Sequence, residues 1–338
     1  MSGAIPDELG NVTSIERLIL SSNFFTGELP VSFANLINMK EFHISGNNFS
    51  GKIPDFIGEW TSLMSLRIVA NGFEGPIPPS ITLLENLTDL ILRSCNLIGQ
   101  LPVLPQSLAS MICHTTILHM ITLLTVKCGK QTCLLRHQML PYHWSSLYIN
   151  CGGDELSVGS DSYESDLEQG GPSSFTSTEN RWGFSNTGHF MDNNINTDNY
   201  TVKNTSRLLM NNPELYMSAR ISALSLTYYG FCLHSGSYNV SLHFAEIVFT
   251  DDGTYSSLGR RVFDIYIQGE RVEKDFDISD EAGGVGKEIV KSYTVNVNAT
   301  LFIRLNWAGK GTTAIPSRGV YGPLISAISV NPSKLLLP

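Results

Sequence analysis

Apolar positions in the first hundred residues fall into a fixed phrase. Ile15, Leu18 and Leu20 lead to Asn23, and the spacing returns at Met39, Phe42 and Ile44 before Asn47. It returns again at Leu63, Leu66 and Ile68 before Asn71, and at Leu87, Leu90 and Leu92 before Cys95. Each phrase starts 24 residues after the last, and a Gly-x-Ile/Leu-Pro close keeps the same step at Gly3, Gly27, Gly51, Gly75 and Gly99. The pattern predicts one short strand and one return segment per period. A lone coil of this kind cannot bury its apolar edge, so the coils must stack.

After residue 146 the period changes from 24 residues to two. In "SYNVSLHFAEIVF", Tyr238, Val240, Leu242 and Phe244 alternate with Asn239, Ser241 and His243, as a half-buried strand requires. "RRVFDIYIQGE" alternates through Phe263, Ile265 and Ile267 to a Gln268-Gly269 turn, and "SYTVNVNATLFIRLNW" through Tyr293, Val295, Val297, Leu301, Ile303 and Leu305. Strands at this spacing predict an antiparallel β-sandwich. The polar, Asn-rich run "TENRWGFSNTGHFMDNNINTDNYTVKNTS" reads as a long surface loop.

The first phrase, L-x-x-L-x-L-x-x-N/C, is the signature of a leucine-rich repeat. With closings such as "NNFSGKIP" and "NGFEGPIP", residues 1–102 resemble the repeats of plant extracellular receptors. "INCGG", "LYMSARIS", "YNVSLHFAEI", "RVFDIYIQGE" and "KDFDI" resemble the marker phrases of malectin domains. The fold class expected is therefore mixed: a short leucine-rich-repeat solenoid over residues 1–102, then an all-β malectin-type sandwich over 146–332. Residues 333–338 form a tail. Residues 103–145 show no leucine-rich register and read as an irregular linker or misread segment. The order of the two halves resembles the ectodomain of plant leucine-rich-repeat malectin receptor-like serine/threonine kinases. That resemblance implies an extracellular recognition region at the plasma membrane, serving signalling. Its partners would be a peptide or protein ligand, a co-receptor, or a cell-wall carbohydrate such as a glucan. The kinase domain and membrane helix would lie outside these residues.

Charge and sequons fit that setting. With 22 Lys and Arg against 31 Asp and Glu, and no basic run, the chain offers nucleic acid little. N-x-S/T acceptors occur at Asn11, Asn48, Asn86, Asn199, Asn204, Asn239 and Asn298, favouring an extracellular chain and marking candidate glycosylation sites. "MSGAIPDELGNV" has no apolar signal segment and begins within a repeat, so a fragment of a longer receptor is expected. The longest apolar run, Met111 to Val126, is short of the ~20 residues a spanning helix needs.

Chemistry is sparse. Cys128, Cys133, His137 and His143 imitate a zinc spacing but stand too close together, so no metal site is expected. "GGVGK" at Gly283–Lys287 lacks the full phosphate-loop pattern and reads as a hairpin loop, and "KDFDISDE" reads as a solvated loop. No catalytic phrase and no cofactor motif is present, so an enzyme is not expected. Cys151 and Cys232 are a candidate disulfide in an extracellular domain.

Binding residues remain. The side chains flanking the buried leucines face the concave surface, which makes Arg17, Glu41, His43, Arg67, Asp89 and Arg93 a mixed-charge face suited to a peptide or protein. The malectin resemblance implies aromatic stacking on sugars. Tyr163 and Phe249 fall at matching positions, with Tyr228 and Tyr229 as further candidates. Val248, Ile221 and Gly322 stand where the sugar-binding relative has two tyrosines and an aspartate, which argues against the same disaccharide pocket.

Overall fold

The computed structural model describes residues 1–93, 95–97, 102–108, 110–114, 127–128, 131–132, 144–171, 173–177, 181–188, 190, 200–204, 208, 210–249, 259–312 and 321–333. Two compact units divide at Pro141 and Tyr142.

In the first unit each leucine phrase is a strand: β1 (Arg17–Ile19), β2 (Glu41–His43), β3 (Ser65–Val69) and β4 (Asp89–Arg93). They pair in parallel and in register, Leu18 beside Phe42, Leu66 and Leu90. Phe42, Leu66 and Leu90 are wholly buried. Burying such a side chain contributes about 1.5–3 kcal/mol, which only stacking can realise here.

The closing phrase has a backbone reason. Gly27, Gly51 and Gly75 sit at φ +78°, +76° and +77°, where a Cβ is strained. Pro30, Pro54 and Pro78, with φ fixed near the helical range, then open one-turn 3₁₀ segments at Val31–Asn35, Asp55–Glu59 and Pro79–Leu83. Phe25, Phe49 and Phe73 stack between coils with centroids 6.0 and 5.9 Å apart. The Asn position is a polar ladder. Asn47 Nδ2 donates to Leu20 O (2.9 Å) and Ile44 O (3.1 Å), while its Oδ1 accepts from Phe25 N (3.1 Å). Asn71 repeats the reach to Ile44 O, and the Cys95 thiol to Ile68 O.

One expectation changes. A fifth strand, β5 (Ser110–His114), continues the sheet in parallel register with β4, inside the stretch read as irregular. Leu108, Met111 and Cys113 take the places of Leu87, Leu90 and Leu92, but 21 residues on instead of 24. The shortened period and the Met and Cys substitutions hide the phrase.

The second unit contains β6 (Leu147–Cys151), β7 (Leu156–Val158), β8 (Asp161–Asp166), β9 (Ser173–Ser177) and β10 (Trp182–Thr187). Beyond these come β11 (Ser225–Ala245), β12 (Arg261–Ile267), β13 (Glu270–Phe276), β14 (Glu288–Gly311) and β15 (Ala327–Pro332). The main sheet runs β7-β8-β6-β15-β11-β14-β12-β13. The first half of β11 also pairs with β10, whereas its second half pairs with β15. Register shifts between Gly230 and Gly236 separate the halves, the kind of bulge that bends a strand at a sandwich corner. Tyr238, Val240, Leu242 and Phe244 are buried, as their alternation requires. Gln268 and Gly269, both at positive φ, make the tight β12–β13 turn.

Three polar stretches differ from expectation. The Asn-rich "loop" contains β10, every residue of which is buried, with Asn186 Nδ2 bonded to Ile221 O (3.0 Å). "KDFDISDE" ends β13 and opens a short helix, α1 (Ile278–Ala282), whose first N–H groups at Ser279 and Asp280 bond the Asp277 carboxylate. Arg260 holds that carboxylate from the other side. "GGVGK" then follows α1 as its cap and turn, with Lys287 Nζ bonded back to Gly283 O (2.7 Å), so the lysine serves its own loop.

Candidate recognition surfaces

On the outward face of the repeat sheet the register stacks Arg17, Glu41, Ser65 and Asp89 in one column. Ile19, His43, Arg67 and Ile91 form the next. Arg17 Nη2 donates to Glu41 Oε1 at 2.6 Å. A longer chain joins the rest: Arg67 Nε and Ser65 Oγ both donate to Asp89 Oδ2, at 2.9 and 3.0 Å, and His43 Nε2 lies 3.0 Å from Ser65 Oγ. Ser65 has one hydroxyl proton, already given to Asp89, so His43 must donate from Nε2. Burial, then the Arg67 charge, holds the His43 imidazole below its usual pKa, which favours the neutral ring.

Arg17 and Arg67 keep 65% and 48% of their side chains in solvent, so these ion pairs contribute at most about 1 kcal/mol each. Their effect is to orient guanidinium groups. Five of the six predicted face residues are thereby brought together; the Arg93 side chain lies outside the described residues. Ser65, a face position by the leucine spacing but not one of the six charged candidates, joins the chain. Its column position beside Glu41 and Asp89 was the available signal.

The four aromatic candidates are interior. Tyr163 is buried with its hydroxyl 2.8 Å from Ser329 Oγ, which also lies 2.8 Å from His243 Nε2. Tyr216 closes the chain at His243 Nδ1 (3.2 Å). Tyr229 is buried against Phe231 and Phe302. Phe249 packs under the Arg261 guanidinium. Tyr228 donates to Asp166 Oδ2 at 2.5 Å inside a fully buried ion pair, where Arg220 grips both Asp166 oxygens at 2.6 Å. The Arg220 guanidinium also lies over the Phe184 ring, 3.9 Å from its centroid. Burial pushes the Asp166 pKa up against the pull of Arg220. These groups hold the core together and present no aromatic platform.

Two further candidates need correction. Cys151 stands as a free, fully buried thiol, and burial pushes its pKa well above normal; the side chain of Cys232, its expected partner, lies outside the described residues. Asn204 is buried, with Nδ2 near the Met217 sulfur, and offers no room for a glycan. Asn199 lies outside the described residues, as do the side chains of Cys128, Cys133, His137 and His143. Among the described residues no cluster of three metal-ligating side chains occurs. No helix among them is long and apolar enough to cross a membrane.

Comparison with known proteins sets this geometry in a family. The model of the malectin domain matches residues 145–328. The chain belongs to the malectin-domain family. Ahead of the malectin unit, the leucine-rich-repeat model matches residues 14–36 and 38–60. Two Arabidopsis thaliana proteins, both described as probable LRR receptor-like serine/threonine-protein kinases, are similar to it. One is 57% identical over 199 residues, covering 57% of this chain and 20% of the relative. The other is 50% identical over 211 residues, covering 60% and 20%. The chain thus spans about a fifth of the length of the curated relatives it matches. Among solved structures, the LRR ectodomain of the plant membrane receptor kinase GASSHO1/SCHENGEN3 from Arabidopsis thaliana is 35% identical. That match covers 30% of this chain and 12% of that one at a TM-score of 0.30. Within the malectin unit, Gly322 has a steric reason to be glycine. At φ +79°, a Cβ there would collide with Ser222 O, so no aspartate fits.

Proposed function

We propose that this chain is the extracellular recognition region of a receptor-like kinase, and that the concave repeat face takes a peptide or protein ligand. The observation that carries the reading is the joining of leucine-rich repeats to a malectin domain in one chain, as in the receptor-like kinases it resembles. Arg17, Glu41, His43, Arg67 and Asp89 would form the contact, with Arg93 extending it. Ile19 and Ile91 add apolar surface in the column of His43 and Arg67. Ligand contact would bias association with a second ectodomain or a co-receptor and bring the kinase domains together.

Selection of a displayed random-peptide library on the secreted full chain tests this. Enriched peptides should lose at least tenfold in affinity, about 1.4 kcal/mol, on Arg67→Glu. No enrichment, or binding indifferent to both Arg67→Glu and Arg17→Glu, would refute it. A glycan array run in parallel examines the rival carbohydrate reading. Glucan binding lost in Tyr163→Ala would move recognition to the malectin unit, against the burial of its aromatic candidates.

A further inference from the structure

The acceptor sequons are distributed over the two units in a way that marks which surfaces stay open. In the repeat unit, Asn11, Asn48 and Asn86 are all exposed, and none lies on β1–β5. Asn11 ends a 3₁₀ turn, Asn48 opens the small outer strand Asn48–Phe49, and Asn86 sits in the loop before β4. Asn86 donates Nδ2 to Thr61 O at 2.9 Å, a bond that one remaining N–H could keep after substitution. In the malectin unit, Asn239 on β11 faces Thr294 on β14 in register. Paired residues share a sheet face, and Asn298 lies four residues beyond Thr294, an even step that returns to that face. Both asparagines are exposed, whereas Tyr238, Val240 and Val297 beside them are buried. Ser235 Oγ donates to Asn298 Oδ1, leaving the acceptor nitrogen unengaged by that bond.

Resting on the extracellular reading, we propose that N-linked glycans occupy Asn11, Asn48, Asn86, Asn239 and Asn298 but not Asn204. Carbohydrate then covers the outer face of the β11–β14 sheet and leaves the strand face of the repeats bare. The donor is a lipid-linked diphospho-oligosaccharide. Asparagine Nδ2 bonds to C1 of the first sugar, the C1–O bond to the diphosphate breaks with its electron pair leaving on the phosphate oxygen, and the amide gives up one proton. Buried Asn204 could not carry such a group in the folded unit.

The full chain expressed through a secretory host gives the test. Enzymatic deglycosylation in ¹⁸O water should leave heavy aspartate at the five exposed sites and none at Asn204. Hydroxyl-radical footprinting before and after trimming reads the covered face. Tyr148, whose hydroxyl bonds Asn331 directly opposite Asn239, should become more reactive, while Ile19 on the repeat face should not change. Heavy aspartate at Asn204, its absence from both Asn239 and Asn298, or protection of Ile19 by glycan would overturn the proposal. None of these outcomes touches the peptide-selection result, and a negative selection would leave the glycan map intact.

Discussion

His243 offers a sharp test of how the malectin unit is held together. Its ring lies under Tyr163 and Tyr216, bonded through both nitrogens to neutral hydroxyls, and burial lowers its pKa from 6.5 to about 4. The folded state therefore resists a proton that the unfolded chain accepts. This stabilisation is complete above the unfolded pKa and is lost as pH falls from 6.5 towards 4. Over the whole window the loss approaches about 3 kcal/mol, and between about pH 7.5 and pH 5 it is about 2 kcal/mol. Urea unfolding of the full chain with Trp60 replaced by Phe, followed by the fluorescence of the tryptophans of the malectin unit, should show that decline. His243→Gln keeps hydrogen-bonding capacity without titrating, and the decline specific to His243 should disappear from it. Imidazole NMR titration gives the pKa directly. A value near 6.5, or an unchanged pH slope in His243→Gln, would refute the burial argument.

Other positions give independent readings. Asn47→Ala leaves Phe25 N without its side-chain acceptor and takes from Leu20 O and Ile44 O one of two amide donors each, the other coming from Asn23 and Asn71, and should cost roughly 1–3 kcal/mol in thermal unfolding of the repeat unit. Asp166→Ala leaves the Arg220 guanidinium buried without its carboxylate, with an expected loss of about 3–5 kcal/mol. Replacing both members of that pair by apolar residues should recover part of the loss in the same urea assay. A thiol reagent should leave Cys151 untouched in the native protein and label it once the protein is denatured, because the sulfur is both shielded and protonated.

Much of this architecture is readable from periodicity, because leucine spacing and strand alternation are direct records of which side faces the core. The columns of the strand face follow from the same alternation. What hides is whatever periodicity does not encode. β5 escapes because its coil is three residues short and carries Met111 and Cys113 where leucines would announce it. β10 looks like a loop because Ser185, Asn186 and Thr187 are polar, yet all three are buried in the β-sheet. The Asp166–Arg220 pair joins residues 54 apart, and no local pattern predicts such a meeting. Tyr228 has the composition of a sugar-stacking ring, but its hydroxyl is committed to that buried pair.

The two long strands of the malectin unit have a consequence for how it opens. β11 spans 21 residues and β14 spans 24, and the two are zipped together along most of their length while each also borders other strands. A local opening would have to unzip both layers at once, so hydrogen exchange across this unit should proceed as one event, whereas neighbour-by-neighbour stacking lets the repeats fray from an end.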